Sequence, residues 1–174
     1  MKKIQDHYFK EARKQGYVAR SAFKLEEMDR KFRLLRRGQH VIDLGCAPGS
    51  WLQYAAKKVL PEGSLTGVDL KQVKIQFPES VRIFQCDIYI LEENTLAPSR
   101  FDLVLSDMAP DTTGIPSVDS QRSYDLNSQA LSFAQRHLKP GGTLVLKAFQ
   151  GEPLNRLKSE TVSYTHLRAH ETSE

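Results

Sequence analysis

Cysteine, tryptophan and long apolar runs are what this 174-residue chain has least of: two Cys, one Trp, and no hydrophobic stretch of bilayer length. Cys46 and Cys86 are too few for a disulfide scaffold or a structural zinc site, so a reducing, cytoplasmic setting is expected. The longest apolar runs are strand-sized, which excludes a membrane-spanning helix. Met1-Lys2-Lys3 leads into Gln5-Asp6-His7 without an apolar segment, so no secretory signal is expected there. Low-complexity linkers and internal repeats are also missing. What remains is 40% hydrophobic and 26% charged, the balance of one ordinary domain with apolar matter enough for a core.

The charge is unevenly placed. Residues 1–37 hold twelve Lys/Arg against five Asp/Glu, and the rest of the chain thirteen against sixteen. A basic arm on a nearly neutral domain points to a polyanionic partner, although a solvated helix face would account for the charge equally well.

After that segment, short apolar runs alternate with helical stretches. His40-Val41-Ile42-Asp43-Leu44 reads as a buried strand ended by Gly45-Cys46-Ala47-Pro48-Gly49, and a helix over 50–59 stops before Pro61-Glu62-Gly63. Further strands are expected at 64–69, 81–85, 101–106 and 143–147, with a helix over 123–138 closed by Lys139-Pro140-Gly141-Gly142. This alternation predicts one α/β domain built on a doubly wound, mostly parallel sheet covered on both faces. Such sheets bind ligands beyond the carboxyl ends of their strands, which makes the residues there the first candidates.

Gly45 and Gly49, at a strand-to-helix turn, let the backbone approach a ligand beside a helix N-terminus. Their Gly-x-x-x-Gly spacing is not that of dinucleotide folds, which disfavours NAD. Asp69 ends the second strand, where a carboxylate can hold a ribose diol, and Asp87 follows the third, where one can accept from an adenine amino group. Any one of these is as readily an N-cap or turn residue. Three acids in succession, Asp43, Asp69 and Asp87, instead suggest a nucleoside with a charged group nearby.

Four segments carry a resemblance. Tyr17-Val18-Ala19-Arg20-Ser21-Ala22-Phe23-Lys24-Leu25, Asp43 through Trp51, Ser106-Asp107-Met108-Ala109-Pro110 and Leu146-Lys147-Ala148-Phe149-Gln150-Gly151 resemble, in this order, the motifs of the FtsJ/RrmJ family of RNA ribose methyltransferases. The resemblance implies the Rossmann-like fold of S-adenosylmethionine-dependent methyltransferases, with S-adenosyl-L-methionine as cofactor. It implies 2′-O-methylation of a uridine ribose in large-subunit (23S) ribosomal RNA, with the large subunit as partner; a monomer is expected, and no metal, since that cofactor already carries an activated methyl group. It also implies that Gly49, Trp51, Asp69, Asp87 and Asp107 contact the cofactor. Lys24, Asp107 and Lys147 match three members of the family's Lys-Asp-Lys-Glu catalytic tetrad. Trp51 has an equally plain alternative as a core aromatic.

The chemistry suits these residue types. The difficulty in methylating a ribose is the alcohol, a weak acid and a poor nucleophile that must be oriented and relieved of its proton. Lys147, ending the fifth strand, is the candidate base or hydroxyl-steering group, and Asp107 its positioner. Asp107-Met108-Ala109-Pro110 lacks the Pro-Pro-aromatic pattern of amino methylases, and Cys46 and Cys86 read as small core residues rather than nucleophiles. In the basic segment, Lys10, Arg13, Lys14, Arg20, Arg30, Lys31, Arg33, Arg36 and Arg37 would hold phosphates. Tyr8, Phe9 and Tyr17 would stack on unpaired bases, Phe23 would pack the N-terminal helix on the sheet, and Asp111 through Pro116 would form a substrate-side lid.

The expected organisation is a basic RNA-binding segment over 1–37, a methyltransferase domain over 38–160, and a tail over 161–174. The resemblance fades after Glu152 and is gone after Glu160, before the tetrad's Glu. Thr161 to Thr172 resembles translated sequencing-adaptor read-through and is set aside as a scar, including the His166/His170 pair. A sheet ending at its fifth strand would leave that strand as an uncovered edge, with impaired turnover and a tendency to aggregate. Two other function classes fit parts of the pattern: a non-catalytic RNA-binding module of the same fold, and a small-molecule O-methyltransferase, for which the basic arm would be idle.

Overall fold

The computed structural model describes residues 11–91, 95–96, 98–147, 155–156 and 168–172, the last five as backbone alone. Helix α1 (Ser21–Phe32) leads into strand β1 (His40–Leu44), helix α2 (Ser50–Val59), and strands β2 (Ser64–Asp69) and β3 (Val81–Gln85). A short 3-10 turn at Ile88–Ile90 precedes β4 (Phe101–Ser106), helix α3 (Pro116–His137), β5 (Leu138–Lys147) and β6 (Arg168–Thr172). The six strands lie in the order β3-β2-β1-β4-β5-β6, and each described pairing is parallel.

Side chains alternate across a strand, so each strand feeds both faces of the sheet. Val41, Leu65, Leu103, Leu105 and Val145 pack with Ala22 and Leu25 of α1 and Leu52 and Ala55 of α2. The intervening Ile42, Leu44, Val68, Val104, Leu144 and Leu146 pack with Ala130, Phe133 and Ala134 of α3. The same alternation puts Asp43, Asp69 and Lys147 on the α1/α2 face, and Asp107, one residue past β4, continues it. Among the described residues, no helix is long and apolar enough to cross a membrane.

Three expectations are corrected. The helix expected over 123–138 begins at Pro116, because Pro at its first turn and Asp119 just behind supply a start signal outside the apolar period. The fifth strand begins at Leu138, not residue 143; Leu138 pairs with Phe101, and a register shift between Phe101 and Leu103 absorbs the Pro-Gly-Gly stretch. Strand β5 is not an edge: Thr143–Lys147 pairs in register with Arg168–Thr172. An edge strand offers unpaired N–H and C=O groups to any extended backbone, so this pairing asks little of the sequence that supplies it.

At the amino end of the sheet, Lys139 Nζ lies 2.9 Å from both Asp102 oxygens and the His40 N–H donates to Asp102 Oδ2 at 2.7 Å, tying β1, β4 and β5 together. In the basic segment, Phe23 packs against the α1/α2 core as expected. Tyr17, expected to stack on bases, is instead buried, edge-to-face with Phe23 and beneath Lys57, whose Nζ is 4.0 Å from the ring centre. Tyr8, Phe9 and Lys10 lie outside the described residues.

Candidate active site

The turn after β1 is built on two glycines in the left-handed region. Gly45 has φ +81°, and a Cβ there would stand 2.5 Å from Met108 Cγ and 3.1 Å from Met108 backbone atoms, so the loops after β1 and β4 meet only over glycine. Gly49, with φ +109°, is the N-cap of α2, and among the described residues no side chain caps that helix. The N–H groups of the first turn of α2, Ser50 and Trp51 among them, therefore stand at the carboxyl end of β1, where electronegative groups are favoured. Asp69 at the end of β2 accepts from the Ala47 N–H at 2.8 Å and the Lys71 N–H at 2.7 Å, stapling its own turn to the glycine loop. Asp87 caps the 3-10 turn by accepting from the Tyr89 N–H at 3.0 Å.

Above these turns opens a cleft of about 370 Å³. Gly45 and Ala47 line it from the first loop, Asp69, Leu70 and Lys71 from the second, Cys86, Asp87 and Ile88 from the third, Asp107 through Asp111 from the fourth, and Leu126 from α3. That volume lies in the range of small-ligand sites. Directly below, Asp43 is 1% exposed and neither carboxylate oxygen has a hydrogen-bond partner among the described residues. Burial holds the Asp43 carboxyl well above the usual carboxylate range, and the charges of Asp107 and Asp69 push it further. At the cleft's edge Lys147 Nζ forms an ion pair with Asp107 Oδ1 at 2.9 Å.

The candidates separate accordingly. Asp69, Asp87 and Asp107 line the cleft, and the ion pair brings Lys147 to it. Lys24 lies half-buried on α1, one turn beyond Ser21, whose Oγ is 2.7 Å from Ser50 Oγ at the start of α2, so α1 presents this end to the same end of the sheet. Gly49 and Trp51 are not among the lining residues. The Trp51 side chain is a core group, 3% exposed, with Nε1–H donating to the Ser21 carbonyl at 2.8 Å. The Cys46 and Cys86 thiols are both pushed up, first by burial, the opposite of what a nucleophile needs.

The anchoring of the 111–116 loop was missed in the sequence. Asp119 accepts from Thr113 N–H at 2.7 Å, Thr113 Oγ1 at 2.8 Å and Gly114 N–H at 3.1 Å, and Arg122 donates to the Asp111 carbonyl at 3.3 Å. The signal available was an acid three residues behind the Pro that opens α3. Lys71 was also passed over, because nothing in its spacing marks it as cleft-lining.

Comparisons with known proteins give the family and the fold. The profile of the FtsJ-like methyltransferase family matches residues 17–172. A "Ribosomal RNA large subunit methyltransferase E" from Syntrophobacter fumaroxidans is 46% identical over 151 residues, covering 85% of this chain and 77% of that protein. The protein of the same name from Desulfatibacillum aliphaticivorans is 46% identical over 162 residues, covering 92% and 78%. Among solved structures, a Plasmodium falciparum protein described as a ribosomal RNA methyltransferase superposes with a TM-score of 0.76 at 27% identity, over 84% of this chain and 86% of that one.

Proposed function

We propose a reaction for this chain from one premise: it belongs to the FtsJ-like methyltransferase family. The reaction is S-adenosylmethionine-dependent methylation of ribosomal RNA, at the 2′-hydroxyl of a uridine ribose in the large-subunit RNA. The observation that carries this reading is the Lys147–Asp107 ion pair, 2.9 Å long, at the rim of a cleft whose other polar side chains are mostly carboxylates.

The residues present fit the cofactor. A cleft lined by Asp69, Asp87 and Asp107, above a buried Asp43 with no hydrogen-bond partner among the described residues, suits a ligand with positively charged and hydrogen-bond-donating groups, and S-adenosylmethionine has both. Asp69 would hold the ribose diol and Asp87 the adenine amino group. The backbone N–H groups of the first turn of α2, that of Trp51 included, would face the carboxylate of the methionine moiety. Bound there, the cofactor supplies an activated methyl group; the chain's own residues must handle the acceptor. Asp107 fixes Lys147, and an ion-paired ammonium donates, so Lys147 orients the acceptor oxygen. The hydroxyl proton becomes strongly acidic as that oxygen takes the methyl group, and the Asp107 carboxylate stands beside it as acceptor. Lys24, half-buried on α1, would complete the catalytic set that the resemblance implies.

The test is transfer of labelled methyl groups to undermethylated large ribosomal subunits, to protein-free ribosomal RNA and to a catechol, with the product digested to nucleosides. The expected product is 2′-O-methyluridine, and Lys147→Ala should abolish it while leaving S-adenosylhomocysteine affinity unchanged. Label on a base, or transfer to the catechol alone, would refute the assignment.

A further inference from the structure

The basic segment is one run in the sequence but two places in the fold. Helices α1 and α2 lie side by side with their N-termini together, Ser21 against Ser50, at the cleft end of the sheet. Their C-termini are joined at the opposite end: the Asp29 carboxylate accepts from the Tyr54 hydroxyl at 2.9 Å, and the Gly38 N–H donates to the Val59 carbonyl at 3.0 Å. A twelve-residue helix is about 18 Å long, so the turn leaving α1 stands that far from the cleft. Arg30, Lys31, Arg33 and Arg36 are there, all exposed, with Phe32 40% exposed among them.

The turn that carries them is held firmly. Arg33 sits at φ +53°, a left-handed conformation uncommon outside glycine, and its N–H donates to the Asp29 carbonyl at 2.7 Å. Asp29 Oδ1 accepts from the Leu35 N–H at 2.8 Å. Of the nearby acids, Asp29 is engaged with Leu35 and Tyr54 and Glu62 with Arg37, while Glu26 and Glu27 stand one turn earlier on α1. Lys31 Nζ lies 5.0 Å from the centre of the exposed Phe32 ring. Guanidinium groups that take phosphates bidentately, on one turn with an exposed aromatic, are the combination that holds an RNA strand: charge for the backbone, a ring for an unstacked base.

We infer that Arg30, Lys31, Phe32, Arg33 and Arg36 form a second RNA-contact surface at the far end of α1, separate from the cleft, which grips a phosphate-rich segment of the substrate remote from the methylated nucleotide. The inference rests on the RNA reading above and adds to it that a large folded RNA is held at two places.

The triple variant Arg30→Gln, Arg33→Gln, Arg36→Gln tests it against two RNAs: a full-length large-subunit RNA transcript, and a short fragment carrying the nucleotide methylated in that transcript. Affinity for the long transcript should fall roughly tenfold, and its slope against log salt should become shallower by about 2 to 3, as expected for three lost phosphate contacts. Affinity for the short fragment, methyl transfer to it and S-adenosylhomocysteine binding should not change, which also shows that the variant is folded. The companion variant Arg13→Gln, Lys14→Gln, Arg20→Gln, in the segment that leads into α1, should weaken both RNAs. Unchanged affinity and slope for the long transcript would make the patch a solvated face. A loss seen only with intact subunits would assign it to a protein instead, and either result overturns the inference while leaving the reaction standing. If the unaltered chain neither binds nor methylates any RNA, the RNA reading fails and this inference with it.

Discussion

Trp51→Phe separates a side-chain role from a backbone one. The indole is 3% exposed, packed between α1 and the sheet, and its N–H donates to the Ser21 carbonyl at 2.8 Å. Phenylalanine keeps a ring in the core but removes that donor and some volume. The lost hydrogen bond, with the Ser21 carbonyl left short of a partner, costs about 1 to 2 kcal/mol. The void left by the smaller ring brings the total to about 2 kcal/mol or a little more. For a domain of this size that is a fall of roughly 4–8 °C in melting temperature. The N–H of residue 51, at the uncapped start of α2, survives the substitution, so S-adenosylhomocysteine affinity by calorimetry should stay within about twofold. An indole in contact with the cofactor would predict the reverse: an unmoved melting temperature and an affinity loss of about tenfold, which is roughly 1.4 kcal/mol of contact energy. That pattern would refute the reading of Trp51 as a core residue acting through its backbone.

Asp69→Ala should weaken S-adenosylhomocysteine binding by an order of magnitude or more, since it removes both the proposed ribose partner and the staple to the Ala47 N–H; unchanged affinity in calorimetry takes Asp69 out of the site. Asp119→Ala should loosen the 113–114 turn, raising KM for RNA several-fold with little change in kcat, with Asp119→Asn intermediate because it keeps an acceptor; equal losses in KM and kcat would argue against a positioning role. Burial pushes the Asp102 carboxyl up, but the His40 N–H and Lys139 outweigh it and hold it below its ordinary value. A depressed folded-state value gives stability that is complete above the unfolded carboxylate range and is lost as pH falls through the folded value, so Asp102→Asn should flatten the acid side of urea-unfolding stability against pH; an unaltered acid limb would show the clamp to be inert.

Strands β1 to β4 and helix α2 were legible to the residue, because each is bounded by Gly, Pro or a charged turn and each strand is a short apolar or β-branched run. The start of α3 was not, since residues 116–122 are mostly exposed and carry no apolar period, and only Pro116 and Asp119 mark them. The first half of β5 was hidden for a different reason. Lys139-Pro140-Gly141-Gly142 has the composition of a stop, and what makes it a strand is long-range: Leu138 against Phe101, and Lys139 against Asp102. In the site, Asp69, Asp87 and Asp107 could be found because strand ends are where such folds bind ligands. Trp51 could be read from sequence equally as a cofactor contact or as a core aromatic, and the structure places its ring in the core.

The period of two that builds the core also gathers the chemistry. Leu65 and Asp69, Val41 and Asp43, Leu105 and position 107, Val145 and Lys147 lie on one face, so the apolar members bury α1 and α2 while the polar members, nearer the carboxyl ends, are delivered to one cleft. Three acids are brought this close, and the Asp43 carboxyl is raised first by its burial and then by the charges of Asp107 and Asp69. One of them is matched within the chain, Asp107 by Lys147. A cationic ligand would match the others, whereas a polyanion would be repelled by them. The positive charge that a polyanion needs is carried elsewhere, on the segment before β1, where helix α1 distributes it between the cleft rim and the far end of the sheet. On the proposed reading, an acidic floor and a basic flank would serve two ligands of opposite charge without competing, and the acceptor oxygen would meet the ion pair of Lys147 and Asp107 where the two regions join.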